Sequence, residues 1–146
     1  LLYRTPQSVN QRFQREKLNE NSIFQIENWL VNHGIKLKNR FRLSSYKLMN
    51  HLLKTNDITR GRKDFSDVIK EITTTIHIIA VDTDYFFIAD ENRKDYQQAK
   101  SVKENVFYHE INSIHGHDAF LIEFNQLSQI LEPIFNKQKQ QKYVSA

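Results

Sequence analysis

The apolar residues among the first 60 positions recur every three or four residues, which is typical of amphipathic helices. In the stretch "NENSIFQIENWLVNHGIK", Ile23, Ile26 and Leu30 fall on one helical face. Ser22 is suitably placed to cap the start of this helix with its hydroxyl, and Gly34 to end it. The pattern therefore predicts an amphipathic helix between these two residues.

The stretch "LSSYKLMNHLLKTNDIT" repeats the helical pattern. Its apolar stripe includes Met49 and Leu52, and Ser44 or Ser45 is the candidate capping residue. Large apolar side chains on such a stripe indicate core or interface positions. Residues 1–60 are therefore predicted to form one helical segment.

The pattern changes near Arg60, where β-branched residues become frequent. The stretch "TTTIHIIAVDTDYFF" is continuously apolar from Ile78 to Val81, as in a strand buried on both faces. It lies between two helical patterns, "FSDVIKEI" and "ADENRKDYQQAKSV", and the alternating stretch "NVFYHEIN" is predicted as a second strand. The last helix is predicted from a stripe of Phe120, Phe124, Leu127, Leu131 and Ile134.

The order helix, strand, helix, strand, helix predicts an α/β fold in which right-handed crossovers join parallel strands. Two strands alone make a poor sheet, because both faces and an edge need covering. We therefore expect residues 61–136 to be the C-terminal part of a larger α/β core, and the polar residues 137–146 to be a tail.

Composition and charge narrow the function classes. The chain is 39% hydrophobic and 12% aromatic, which is typical of a globular protein, and it contains no cysteine. No apolar run approaches the roughly 18 residues of a membrane helix, and the first residues do not form a signal peptide. The net charge of +4 is not gathered on one face. We expect a soluble, cytoplasmic protein without nucleic-acid or membrane partners.

Polar side chains follow each predicted strand, at the sheet edge where α/β proteins collect functional groups. Asp82 and Asp84 come after the first strand, and His117 comes in the loop after the second. A carboxylate that orients an imidazole is half of a nucleophile–histidine–acid triad. The order acid then histidine is that of α/β-hydrolases. Asp84 is the predicted partner of His117, because Asp82 lies two positions deeper and is expected to bond backbone groups.

Other interpretations of these residues remain open. An aspartate after a strand is often a turn or helix-capping residue, and Asp118 is placed to cap the final helix. A metal site is the rival chemistry, since His115, His117 and Asp118 are all potential ligands. No further ligand stands at a recognisable spacing, so we predict no metal.

Several stretches resemble the homoserine O-acetyltransferase family. "SIHGHDAFLIE" is similar to its "S-x-x-GHDAFL" signature, and "VDTDYFF" to its "SDWLF" acid loop. "SVNQRFQR", "FQIENWLVNHGIKLKNRF" and "SSYKLMNHLL" resemble its lid helices in the same order. The resemblance implies the C-terminal part of an α/β-hydrolase fold, preceded by a helical lid.

The resemblance also implies an activity. In that family a serine takes an acetyl group from acetyl-CoA and passes it to the hydroxyl of L-homoserine, for methionine biosynthesis, without a cofactor. Carried over by position, Asp84 is the triad acid, His117 the general base, Asp118 the partner of the substrate's amino group, and Tyr3 a residue lining the site. A homodimer formed through the lid helices is implied as well.

The family's nucleophile is missing from this stretch of sequence. Its serine lies on a Gly-x-Ser-x-Gly elbow, and no two of Gly34, Gly61 and Gly116 flank a serine. We therefore expect a fragment of a longer protein that is inactive by itself. The alternatives are a sister acyltransferase that uses succinyl-CoA or L-serine, or a truncated, non-catalytic assembly module.

Overall fold

The computed structural model describes residues 3–20 and 22–144, with side chains through residue 136. The helices are α1 (Pro6–Phe13), α2 (Gln25–Arg40), α3 (Leu43–Thr55), α4 (Phe65–Glu71), α5 (Ala89–Val102) and α6 (Phe124–Val144). The strands are β1 (Ile76–Val81) and β2 (Val106–Ile111), and a 3-10 helix spans Gly116–Leu121. The side chains of the predicted polar tail, 137–146, lie outside the described residues.

Strands β1 and β2 pair in parallel, and α5 is the crossover between them. The register runs from Ile76 opposite Val106 to Val81 opposite Ile111. This confirms the mixed α/β prediction with parallel strands. The prediction that β1 is buried on both faces from Ile78 onward is wrong in this chain: only its last two residues are buried. In the described part of the chain the sheet has two strands, which leaves the start of β1 half exposed.

The core of the sheet lies at the carboxyl ends of the strands. Val81, Ile111 and Ala119 form a buried cluster, and Ile111 and Ala119 have no exposed surface. Residues of α6, including Leu127, pack against this cluster. The loops that follow β1 and β2 therefore start from the best-packed part of the sheet, which fixes where their first side chains lie.

A charged network fastens α5 to the other face of β2. The Arg93 guanidinium donates to both carboxylate oxygens of Glu110, at 2.6 Å and 3.0 Å, and the Tyr108 hydroxyl donates to the same carboxylate at 2.6 Å. The bonds from Arg93 lower the pKa of Glu110 below its ordinary value. Burial, followed by the bond to Glu110, raises the pKa of Tyr108 to about 12. The crossover helix is thus tied to the strand that precedes His117.

A cavity of about 670 Å³ lies near the starts of the two strands. His77 and His109 face it, with 3.1 Å between the Nδ1 atom of His77 and the Nε2 atom of His109. Burial, and to a lesser degree the neighbouring His77, lowers the pKa of His109 below its usual value. Glu110 and Gln126 also line this cavity, whereas Asp84 and His117 do not.

The chain divides into two compact units. One contains the N-terminal residues through Ser8 together with Ile69 and the residues after it, and the other contains Val9–Val68. The first unit holds the sheet and both loops that follow the strands. None of the helices in the described part of the chain combines the length and apolar character needed to cross a bilayer.

Both predicted ends of the first long helix are wrong. Helix α2 begins at Gln25, after Phe24, whose N–H donates to the Glu27 side chain at 2.8 Å. The Ser22 hydroxyl instead accepts the N–H of Asn19. Gly34 lies inside the helix, which continues to Arg40, because the residues after it are good helix formers that outweigh the roughly 1 kcal/mol cost of an interior glycine.

The predicted capping residue of α3 is wrong by two or three positions. Arg42 is the capping residue, in an extended conformation, so Ser44 and Ser45 lie within the first turn. The apolar stripe of α3 is not a core in this chain, since the structure describes α3 in full and buries none of its residues. Met49 is 52% exposed and Leu43 is 70% exposed.

Candidate active site

Asp84 and His117 form a hydrogen-bonded pair beyond the carboxyl ends of the strands. The Oδ2 atom of Asp84 lies 2.8 Å from Nδ1 of His117. The other carboxylate oxygen accepts the N–H groups of Phe86 and Phe87, at 2.7 Å and 3.0 Å. Asp84 is buried, with 7% of its surface exposed. Both of its oxygens are thus occupied, and the carboxylate is fixed in one orientation by its own loop.

The predicted choice between the two aspartates agrees with this geometry. Asp82 bonds the backbone, accepting the Ser113 N–H at 2.9 Å, and its own N–H donates to Ile111 at 3.1 Å. This pair of bonds extends the contact between the strands by one step. Asp82 therefore ties the two loops together, whereas Asp84 orients the imidazole.

The pairing determines which nitrogen of His117 is available for chemistry. A carboxylate is an acceptor, so the Nδ1 atom of His117 carries the shared proton. In the neutral ring Nε2 is then the acceptor. The His117 side chain is 22% exposed, compared with 6% for Asp84. The arrangement presents a basic nitrogen at the surface and its orienting carboxylate beneath it, which is the geometry that general-base catalysis requires.

Aromatic rings surround the imidazole of His117. Their centroids lie at 5.0 Å for Tyr3, 5.4 Å for Phe86, 5.5 Å for Phe87 and 5.8 Å for Phe120. Tyr3 was predicted at the site from the family resemblance, and the three phenylalanines were missed. Each phenylalanine follows Asp84 or His117 by two or three positions in the sequence, and this proximity could have indicated that it lies at the site. Contacts on several sides restrict rotation of the imidazole ring.

A cavity of about 420 Å³ adjoins the Asp84–His117 pair. Phe87 and Phe120 line it together with apolar residues from β1, β2 and α6. Asn92 of α5 is the other polar residue of the lining. The volume of the cavity and its mostly apolar lining with a few polar groups are typical of a small-molecule site.

Gly116 allows the chain to turn just before His117. Its φ is +66°, and a Cβ atom at this position would lie 3.1 Å from the backbone oxygen of Tyr3. Any larger residue would have both an unfavourable backbone conformation and a close contact with that oxygen. The glycine lets the N-terminal segment pass directly over the loop that carries His117.

Asp118 was predicted to cap the final helix, and this prediction is wrong. It lies in the 3-10 helix, whose capping residue is His115, and its N–H donates to the Tyr3 oxygen at 3.2 Å. Its Oδ2 atom accepts a 2.8 Å bond from Nε of Arg4, and the two side chains are 30% and 20% exposed. The role that the family resemblance implies for Asp118 is to bind the substrate's amino group. In that role Asp118 would also remain bonded to the guanidinium of Arg4, a contact that the sequence did not suggest.

The predicted last helix is divided in two. The 3-10 helix ends at Leu121 and α6 begins at Phe124, so Phe120 does not belong to the stripe of α6. Ile122 breaks the helical path with φ −126° and ψ −46°. The division allows Ala119 to be fully buried in the core at the strand ends.

His115 faces a different part of the molecule from His117. Its Nδ1 atom lies 2.8 Å from the Ser8 hydroxyl, and its N–H donates to Ser113 Oγ at 3.1 Å. The structure thus does not bring His115, His117 and Asp118 together as ligands. Among the side chains that it describes, no three His, Asp or Glu residues are grouped as a metal ion would need.

The N-terminal residues bind the His117 loop through contacts that the sequence did not reveal. The Thr5 hydroxyl donates to the Ile114 oxygen and accepts the Ser8 N–H at 3.0 Å. Thr5 and Ser8 are both buried. The bonds of Thr5 to Ile114 and of Ser8 to His115 join residues more than 100 positions apart, so no local pattern could have indicated them.

Comparison with known proteins finds relatives that share one printed name. A homoserine O-acetyltransferase from Cyclobacterium marinum is 38% identical over 92% of this chain, and one from Carboxydothermus hydrogenoformans is 34% identical over 88%. A third, from Corynebacterium diphtheriae, is 36% identical over 74%. No protein-family model matches the chain.

The chain spans about a third of the length of these curated relatives, covering 37% of the first and 34% of the second. The similarity extends over most of this chain and includes both loops that hold the Asp84–His117 pair. On this evidence the chain belongs to the homoserine O-acetyltransferase family.

Proposed function

We propose that this chain supplies the acid and the base of a Ser-His-Asp triad that transfers an acetyl group from acetyl-CoA to the hydroxyl of L-homoserine. The observation that carries the proposal is the 2.8 Å bond between Asp84 and His117 at the ends of adjacent parallel strands. The names of the relatives support the substrate class, since they are homoserine O-acetyltransferases. The reaction places the protein in methionine biosynthesis.

In the first half-reaction, Nε2 of His117 takes the proton of the serine hydroxyl as the oxygen attacks the thioester carbonyl. Asp84 keeps the ring in the tautomer that leaves Nε2 free and stabilises the imidazolium that forms. His117 then returns the proton to the departing thiolate of coenzyme A. The product is an acetyl-serine, and the base is again neutral.

In the second half-reaction, His117 removes the proton of the homoserine hydroxyl as its oxygen attacks the acetyl carbonyl of the acetyl-serine. The bond between the acetyl group and the serine oxygen then breaks, and His117 returns the proton to that oxygen, which releases O-acetylhomoserine and restores the serine. Asp118 is one residue from the base and has a second carboxylate oxygen besides the one bonded to Arg4, which supports its role as the partner of the substrate ammonium. Tyr3, whose ring adjoins His117, would line the same site. Holding the acceptor hydroxyl near Nε2 makes the attack effectively intramolecular.

The fold assignment is part of the proposal. The parallel pair β1 and β2, its crossover helix and the acid-then-histidine order support the C-terminal part of an α/β-hydrolase core in 61–136. The helices within 1–60 would form its lid.

The lid helices are also the proposed contact of a homodimer. Helix α3 buries none of its residues, and Leu48, Met49, Leu52 and Leu53 are each more than half exposed. An apolar stripe of this kind is typical of an interface. Analytical ultracentrifugation of the complete gene product and of Met49→Glu tests it: a protein that sediments as a monomer before the substitution contradicts the proposal.

The activity is tested with the complete product of the gene that encodes this chain. We expect homoserine-dependent release of coenzyme A from acetyl-CoA, which His117→Asn abolishes. His115→Asn is the matched control and should retain activity within about tenfold, or roughly 1.4 kcal/mol of barrier, because His115 contacts Ser8 rather than His117. A polypeptide of these 146 residues alone should show no turnover, since it contains no Gly-x-Ser-x-Gly elbow.

Succinyl-CoA and L-serine are tested in parallel as alternative donor and acceptor. A clear preference for either would keep the triad and change the substrate. Activity that survives His117→Asn would contradict the proposed triad itself.

A further inference from the structure

The side chain of Thr83 joins the two loops that carry Asp84 and His117. Its hydroxyl donates to the backbone oxygen of Ser113 and accepts the N–H of Gly116 at 3.2 Å. A hydroxyl has one donor and two acceptor positions, so both bonds form at once. Thr83 is half-buried, adjacent in sequence to Asp84, and reaches the residue directly before His117.

The bond to Gly116 determines where the base is held. Gly116 has φ +66° and lies against the backbone oxygen of Tyr3, so this turn packs closely on one side. Thr83 contacts it from the acid loop, 33 positions earlier in the chain. Displacement of Gly116 would move His117 directly, because only one peptide bond separates their Cα atoms.

A second connection between the loops lies farther from His117. Asp82 accepts the N–H of Ser113 at 2.9 Å, and Ser113 lies four positions before His117 in the chain. Thr83 acts at both ends of the intervening turn, on the Ser113 oxygen and the Gly116 N–H. Asp82 therefore fixes where the loop begins, and Thr83 fixes where it delivers the imidazole.

We propose that Thr83 is a positioning residue that keeps Nδ1 of His117 aligned with the carboxylate of Asp84. The inference rests on the proposed function, in which His117 is the base of both half-reactions. Misplacement of a catalytic group by about 1 Å can lower a rate on the order of 100-fold. Because Asp82 still bonds Ser113 when the Thr83 hydroxyl is removed, that loss should cost less than 100-fold.

The test compares Thr83→Val with Thr83→Ser in the complete gene product. Valine keeps the shape and removes the hydroxyl, whereas serine keeps the hydroxyl. We expect Thr83→Val to lower kcat, and the rate constant of each half-reaction, about 10- to 30-fold. KM for each substrate should stay within about threefold, because the substitution disturbs the alignment of the base and not substrate binding. Thr83→Ser should recover kcat to within about threefold.

A spectroscopic measurement separates positioning from general stability. The proton shared by His117 and Asp84 should give a far-downfield proton NMR resonance, assigned by its absence in His117→Asn. Thr83→Val should broaden or shift this resonance, and Thr83→Ser should restore it. Thr83→Ala repeats the comparison if the valine variant does not fold.

The outcomes are distinct. If Thr83→Val or Thr83→Ala lowers only the melting temperature, or if Thr83→Ser fails to rescue kcat and the resonance, the proposal is wrong. If the unmodified protein has no acyltransferase activity, the proposed function fails instead, and the resonance alone still decides whether Thr83 aligns the pair.

Discussion

Replacing Asp84 with asparagine is expected to lower the turnover of the complete gene product about 10⁴-fold, the scale known for triad acids. The expectation follows from the two bonds that one carboxylate oxygen accepts, from the N–H groups of Phe86 and Phe87. In the variant, the amide oxygen must take that position to keep these donors satisfied. The amide NH₂ then faces Nδ1 of His117 and selects the tautomer in which Nε2 carries the proton, so the ring cannot act as a base.

Asp82→Asn is the matched control for this prediction. Its amide oxygen can still accept the Ser113 N–H, so we expect turnover within about tenfold of the unmodified protein. Steady-state assays with acetyl-CoA and homoserine measure both variants, and a melting curve of each shows that it is folded. A severe defect in Asp82→Asn with a mild one in Asp84→Asn would reverse the assignment of the two acids.

The Asp84–His117 pair was predictable because its placement follows from topology. Side chains that end adjacent parallel strands meet at one sheet edge, so the order of elements was enough to bring the two loops together. The choice of Asp84 over Asp82 was also made from the sequence, but the reason for it was wrong. Both residues follow β1, and Asp82, which was expected to lie deeper, is exposed whereas Asp84 is buried. The catalytic roles of these residues remain predictions that the mutants test.

The parts of the site that sequence reasoning missed depend on contacts between distant positions. Arg4, Thr5 and Ser8 bond residues more than 100 positions away. Each is an ordinary polar residue beside an ordinary helix start, and its partner is fixed by packing alone. Thr83 was missed for a different reason. It lies between Asp82 and Asp84, and a threonine beside two carboxylates gives no separate indication of a role in the site.

Helix ends were predicted poorly because the local signals at Ser22 and Gly34 were weak. A serine caps a helix only if the helix begins there, and α2 begins three residues later, where Glu27 bonds the N–H of Phe24. A glycine ends a helix when it adopts a positive φ, and Gly34 does not. In both places the neighbouring residues decided the outcome.

The role of Asp118 depends on how its charge is shared. Arg4 occupies one carboxylate oxygen at 2.8 Å, so the pair is close to neutral before any substrate binds. The other oxygen can accept a bond from an ammonium group. The guanidinium also orients the carboxylate, so that its free oxygen is held in place when the substrate arrives.

Asp118→Asn should therefore separate the two half-reactions. The amide oxygen can still accept the bond from Nε of Arg4, so the 3-10 helix should remain folded. The negative charge is lost, and the charge of Arg4 becomes uncompensated beside the expected ammonium. We expect acetyl transfer to homoserine to fall roughly 10- to 100-fold, the scale of a lost bond to a charged group. Acetylation of the enzyme involves no amino group and should stay within about threefold.

Rapid-mixing experiments measure the two steps separately, as the burst of coenzyme A release and as the decay of acetyl-enzyme on addition of homoserine. Glu123→Gln is the control, because it removes one negative charge from the loop after the 3-10 helix, where the carboxylate bonds Ser113 rather than Arg4. It should leave the ratio of the two rates unchanged. Equal losses in both steps of Asp118→Asn, or no loss in either, would limit Asp118 to its structural bond with Arg4.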